Sequence, residues 1–242
     1  MHRFLPGICP HLHYILGLCY VYYPITSGLR QDHRNHGERL ITPLANLGWH
    51  REPAENNSNH AIDMYAIQTG TAKDVSFLID FLPSYLFPNG EREIDRWGVA
   101  GISLGGHSTW ICLKNDPRVT IGIPIIGCPS FLTLMRTRAA QYRLSGPPTF
   151  PDSLVSYIEH NDPSSTEPNP SLNPFLGKKI LILSGGADSL VPWEASKAFI
   201  EKLDLGENGV KTVFLEDGAG HQCTREMVKR LGEFMIKWGL NA

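Results

Sequence analysis

Residues 96–107 read Arg-Trp-Gly-Val-Ala-Gly-Ile-Ser-Leu-Gly-Gly-His, and this stretch decides the fold. Arg96 to Ile102 is a short apolar run bounded by turn residues, the pattern of a buried strand. Gly105 to Leu113 reads as the helix that follows. Between them, Gly101-Ile-Ser-Leu-Gly105 fits G-x-S-x-G in the strand-to-helix context that the motif needs. An abrupt strand-to-helix turn lifts the side chain at its apex, here Ser103, out of the sheet in a strained conformation. The residues two positions to either side then come so close that glycine belongs there. The helix directs its N-terminus at the serine and favours negative charge developing beside it, with the Leu104 amide as one donor to that charge. A five-residue match with three fixed positions is weak alone, since a glycine-rich turn with a structural serine also satisfies it.

Working outward, strands and helices alternate. Ala72 to Leu86 carries Val75, Leu78, Ile79 and Leu82 on one helical face, with Pro83 bending or ending the regular part. Val119 to Ile126, Lys179 to Leu183 and Val210 to Leu215 read as strands. Pro192 to Leu203 and Thr224 to Trp238 read as helices. Tyr14 to Tyr23 is apolar but too short to span a bilayer, and reads as a buried strand. The class is therefore α/β: βαβ units building a mostly parallel sheet with helices on both faces. A chain of 242 residues suits a single such domain, 1–242. Two stretches break the alternation. Residues 38–61 are polar and irregular. Residues 129–177 hold two possible helices and then a Pro/Ser/Asn-rich segment from Asp162 to Pro174. The second stretch reads as a helical lid insertion, against the alternative of a mobile surface excursion.

A serine hydroxyl needs a base to become a nucleophile, and the base needs an acid to orient it. In this architecture the order along the chain is Ser, then Asp or Glu, then His. Leu183-Ser-Gly-Gly-Ala-Asp188 places an acid just past one strand, and Val213-Phe-Leu-Glu-Asp-Gly-Ala-Gly-His221 places a histidine just past the next. Both fall on the sheet edge where Ser103 should lie, the edge at which open α/β sheets bind ligands. Ser103, Asp188 and His221 are thus the candidate triad. Asp188 could instead cap the following helix, and Asp217 is a rival acid close to His221. His107 reads as a packed helix histidine. His11-Leu-His13 would need further ligands to hold a metal, and none is evident.

Composition narrows the classes further. Net charge is -2, so no basic excess draws in nucleic acid or anionic lipid. The charged fraction is 19% and the hydrophobic fraction 42%, enough for a sizeable core. Five cysteines without a C-x-x-C pair point to reduced thiols and a cytoplasmic setting. There is no nucleotide fingerprint, so no cofactor and no metal is expected. Asn56-Asn57-Ser58 is a formal glycosylation sequon that matters only in a secreted chain. The expected partner is a small-molecule acyl substrate, with no nucleic acid and no membrane. An exposed sheet edge leaves self-association open, and the oligomeric state is unknown.

The sequence resembles the α/β-hydrolase superfamily, most of all the esterase branch related to dienelactone hydrolases and prolyl-oligopeptidase C-terminal domains. Gly101 to His107 resembles the family's elbow, and Ile182-Leu-Ser-Gly-Gly-Ala-Asp-Ser-Leu-Val-Pro192 its acid segment. Gly218-Ala-Gly-His221 resembles its histidine loop, and Asp32-His-Arg-Asn-His-Gly37 its D-x-R-x-H-G turn. The match covers about residues 32 to 242. It implies a nucleophile at Ser103, an acid at Asp188, a base at His221, an oxyanion amide at Leu104 and a structural role for His33 and His36. The family places about three strands before the D-x-R-x-H-G turn and draws a second oxyanion amide from the loop after the third. Only 31 residues precede Asp32, so the N-terminal strands are expected to be partly missing, and residues 1–31 do not read like the family. Two function classes follow: a serine hydrolase acting on a small ester, thioester or lactone, or a non-catalytic or weakly active relative that acts as a binding protein.

Overall fold

The computed structural model describes residues 18–22, 27–166 and 172–240. Its strands are β1 (Leu18–Tyr22), β2 (Ser27–Arg30), β3 (Arg96–Ile102), β4 (Val119–Ile125), β5 (Lys179–Gly185) and β6 (Val210–Glu216). They lie in one sheet in the order β2-β1-β3-β4-β5-β6. β3 to β6 are parallel, as helical crossovers require. β1 and β2 form an antiparallel pair, and β1 runs antiparallel to β3 with Leu18 opposite Ala100 and Tyr22 opposite Arg96.

The helices are α1 (His60–Leu86), α2 (Leu104–Asn115), α3 (Phe131–Gln141), α4 (Asp152–Asn161), α5 (Glu194–Lys202) and α6 (Arg225–Met235). Successive strand residues point to opposite faces, and each face has its own cover. Ile180 and Ile182 of β5, with Trp97 and Val99 of β3, pack beneath Val75, Ile79, Trp110, Leu113 and Ile200 of α1, α2 and α5. Leu181 and Leu183, with Ile121 and Ile123 of β4, meet Met227, Leu231 and Phe234 of α6. Thr224 caps α6 by accepting the Met227 amide at 3.1 Å. β6 is an edge strand and leaves Val213 and Leu215 exposed.

The structure differs from the sequence reading in several places. α1 begins at His60, not Ala72, and continues through Pro83 to Leu86. Its first half buries Tyr65 and Ala61 against α3 and Phe150, but Gly70 and the buried polar His60 and Gln68 blur the periodicity. The proline is tolerated because only the last turn follows it. After Met235 the α-geometry gives way to a π-turn, Ile236–Leu240. The irregular 38–61 stretch contains three short 3₁₀ turns, Gly37–Arg39, Pro43–Asn46 and Pro53–Glu55.

The D-x-R-x-H-G turn braces this region onto α1. The Asp32 carboxylate accepts the Glu38 amide at 3.0 Å. Arg34 and Arg39 converge on Asp74 at 2.6 and 2.7 Å. Gly37, at φ +56, leaves no room for a side chain against the Asp32 carboxylate. His11, His13 and Cys9 lie outside the described residues, as does 167–171 of the Pro/Ser/Asn-rich segment. Cys128 and Cys223 are free thiols. No helix among the described residues is long and apolar enough to cross a membrane.

Candidate active site

Ser103 sits between β3 and α2 with φ 53 and ψ -110, outside the comfortable range of an L-residue. The surroundings hold it there. Its amide donates to the Ile125 carbonyl at the end of β4, at 2.8 Å, and the Ile126 amide donates to Leu183 of β5 at 2.7 Å. Three glycines make the approach possible. A Cβ on Gly101 would overlap the Gly105 carbonyl, and one on Gly106 would stand 2.7 Å from the Ile125 carbonyl oxygen. One on Gly127 would lie 2.6 Å from the Gly106 Cα. His107 completes the brace. It is buried, and its Nδ1 lies 2.9 Å from both the amide nitrogen and the carbonyl oxygen of Cys128. Burial lowers its pKa to about 4, so the ring is neutral.

The acid and histidine loops are bound to each other. Gly186 and Ala187 donate to the carbonyls of Glu216 and Ala219 at 2.7 and 2.9 Å. Gly185 leaves no room for a side chain against Ala219 and Gly220. Asp188 is buried, with its side chain 1% exposed. Its Oδ1 accepts the amides of Leu190 and Val191, both at 2.9 Å, which fixes the carboxylate plane. Its Oδ2 faces His221 Nδ1 at 2.8 Å, and His221 Nε2 faces Ser103 Oγ at 2.8 Å. A carboxylate only accepts, so the imidazole proton sits on Nδ1 and the Nε2 lone pair points at the serine hydroxyl. Asp188 both makes the capping-type turn and faces His221. The acid facing the imidazole is Asp188, and Asp217 takes no part.

Leu104 is the first residue of α2, a position whose amide has no intrahelical partner. β1, the strand beside β3, ends at Tyr22 opposite Arg96, at the end of β3 away from Ser103. β2 runs toward the Ser103 edge, and after it Gln31 and His33 line a small cavity with Gly105 and Ser108 of α2. Burial lowers the His33 pKa to about 4.

One neighbour of the site carried no sequence signal. Arg138 of α3 hydrogen-bonds the Leu190 carbonyl, on the turn that holds Asp188. Its position is set by contacts 52 residues apart, which no local motif announces.

No family model matches the chain, and no curated protein matches it. Among solved structures, the TT1662 protein of Thermus thermophilus superimposes with a TM-score of 0.62 at 20% identity, over 88% of this chain and 77% of that one. Acetyl xylan esterase 1 from Thermoanaerobacterium sp. JW/SL YS485 gives 0.54 at 18% identity, over 88% of this chain and 66% of that one. Puromycin hydrolase gives 0.52 at 15% identity over 71% of this chain, which spans only 26% of that enzyme. The chain has the α/β-hydrolase fold.

Proposed function

We propose that the protein is a serine hydrolase that cleaves a small ester, thioester or lactone in a reducing, cytoplasmic setting. His221 Nε2 takes the Ser103 proton as Oγ attacks the substrate carbonyl. Asp188 holds the imidazole in the receptive tautomer and stabilises the imidazolium that forms. The Leu104 amide and the N-terminus of α2 receive the developing oxyanion. The imidazolium then protonates the leaving group, an acyl-enzyme remains on Ser103, and water activated by His221 releases the acid. The 129–177 segment acts as the lid, with α3 anchored to the acid turn through Arg138. The carrying observation is the continuous relay from Ser103 Oγ through His221 to Asp188, at 2.8 and 2.8 Å, on a positive-φ elbow. The test is labelling by a fluorophosphonate probe and turnover of p-nitrophenyl acetate. Both should vanish in Ser103→Ala, and equal behaviour of the variant and the native chain overturns the proposal.

The direction of β1 favours a second reading, a weakly active or non-catalytic relative that binds its ligand. Losing one oxyanion donor costs roughly 10²–10³ in rate. On this reading fluorophosphonate labelling is slow and p-nitrophenyl acetate turnover barely exceeds that of Ser103→Ala. Robust Ser103-dependent turnover rules it out.

A further inference from the structure

Among the described residues, Asn35, Ser103, Ile126 and Arg143 are the non-glycines that stand at positive φ. Ile126, at φ 45, is the β-branched one, and a Cβ that carries two carbons tolerates this conformation least. It directly follows β4 and is 2% exposed. Building on the serine-hydrolase reading, we propose that Ile126 is a positioning residue. It clamps the first turn of α2, and so fixes the Ser103 hydroxyl and the Leu104 amide relative to each other.

The contacts on either side of Ile126 carry the assignment. The peptide group between Ile125 and Ile126 accepts the Ser103 amide at 2.8 Å through its carbonyl and donates to the Leu183 carbonyl at 2.7 Å through its N–H. One rigid plane therefore ties the elbow to β5, the strand that leads to Asp188. Past Ile126 the chain lies against α2 instead. A Cβ on Gly127 would stand 2.6 Å from the Gly106 Cα and 2.8 Å from the His107 nitrogen. Cys128 meets His107 Nδ1 at 2.9 Å with its amide nitrogen and its carbonyl oxygen. The His107 amide in turn donates to the Ser103 carbonyl at 3.0 Å, which closes that first turn. Backbone strain of this kind persists only where the surroundings over-determine it. Here the side chain does so. It is buried with Leu183, Met227 and Phe234 in the cluster beneath α6, on the opposite face of the sheet from α2. The side chain is thus anchored on one face while the backbone that follows presses on the helix of the other. A glycine would take this φ without strain, but it has no anchor and samples other conformations. An oxyanion donor acts through geometry fixed before the reaction, so slack in this turn is felt in the transition state more than in substrate binding.

The test compares Ile126→Val, Ile126→Ala and Ile126→Gly with the native chain. The measurements are steady-state hydrolysis of p-nitrophenyl acetate and inhibition by phenylboronic acid, whose tetrahedral adduct on Ser103 carries an oxygen at the oxyanion position. In Ile126→Gly, kcat should fall about tenfold with KM within about twofold of native, and the Ki of phenylboronic acid should rise about as far as kcat falls. Ile126→Ala should lie between, and Ile126→Val, still β-branched and buried, should keep about half of the native kcat or more. Loss of packing alone lowers Tm and leaves kcat and Ki of the folded enzyme unchanged. That pattern overturns the proposal, as does an Ile126→Val that falls as far as Ile126→Gly. Ile126→Ala carries the comparison where the glycine variant does not fold. Absence of Ser103-dependent turnover in the native chain overturns the hydrolase reading and this proposal with it. Retained kcat in the variants of an active native chain overturns the role of Ile126 alone.

Discussion

The guanidinium of Arg138 donates twice to one acceptor, the carbonyl oxygen of Leu190, through Nε at 3.2 Å and Nη2 at 2.6 Å. Leu190 also donates its amide to Asp188 Oδ1 at 2.9 Å. One residue thus links α3 to the carboxylate that faces His221. No carboxylate pairs with Arg138 among the described residues, so the backbone carbonyl is its main partner. Arg138→Gln should loosen the acid turn. The expected result is a fall in kcat of about tenfold, equivalent to about 1.4 kcal/mol, with a smaller change in KM and partial recovery in Arg138→Lys. A lowered Tm with unchanged kcat would limit Arg138 to a structural role.

Asp188→Asn should be far more damaging than its size suggests. Asp188 Oδ1 accepts from two backbone amides, so an asparagine keeps its carbonyl oxygen there and turns its NH₂ toward His221 Nδ1. That donor forces the imidazole proton onto Nε2, which can then no longer accept from Ser103. The backbone need not move, so Tm should stay near the native value while kcat falls roughly 10³–10⁴-fold. Steady-state kinetics alongside thermal unfolding separates the two effects. Retention of more than a tenth of the activity would contradict the assigned tautomer.

The elbow's glycines differ from an open one such as Gly48. On Gly106 a methyl group would stand 2.7 Å from the Ile125 carbonyl oxygen and 2.9 Å from the Gly127 Cα. The same carbonyl accepts the Ser103 amide, so the clash passes directly to Ser103. Gly106→Ala should cost about 1–3 kcal/mol and slow fluorophosphonate labelling. Gly48, with nothing within 4 Å of its added Cβ and no positive φ, is the control, and Gly48→Ala should stay within about 0.5 kcal/mol. Denaturant melts of the two variants decide the matter, and equal stabilities would show that the elbow relaxes freely.

These sites also show what a sequence can and cannot disclose. β3 was legible to the residue because an apolar run ends in a motif whose glycines are required by the turn itself. The meeting of Asp188 and His221 at the Ser103 edge was legible because parallel strands must place their following loops on one edge. The first half of α1 was not, because its buried face includes His60 and Gln68, whose burial depends on contacts with distant elements. The antiparallel direction of β1 leaves no trace in a five-residue apolar strand. The contact of Arg138 with the Leu190 carbonyl is a tertiary juxtaposition, and no local pattern encodes it.

Asp162 gives a pH dependence that can be read as a difference between two proteins. Its carboxylate accepts the Phe131 amide at 2.9 Å and the Ser164 hydroxyl at 2.8 Å. Burial nevertheless raises its pKa from 3.8 to about 7. Between these values the unfolded chain has released the proton and the folded chain keeps it. Stability from this group is therefore present below pH 3.8 and is lost as pH rises through 7. His60 and His107 act in the opposite sense, since burial lowers both from 6.5 to about 4. Their contribution is present above pH 6.5 and is lost as pH falls through 4. Asp162 thus offsets part of the acid destabilisation that the two histidines cause. Asp162→Asn keeps the shape and removes the titration. At pH 8 the variant should equal or exceed the native chain in stability, because no buried charge remains. As pH falls to 4 the native chain should gain up to about 4 kcal/mol relative to the variant. Urea melts of both proteins at pH 8, 6.5, 5 and 4 measure that difference directly, with the histidines cancelling between them. A difference that stays flat across the series would mean that Asp162 is ionised in the folded state throughout.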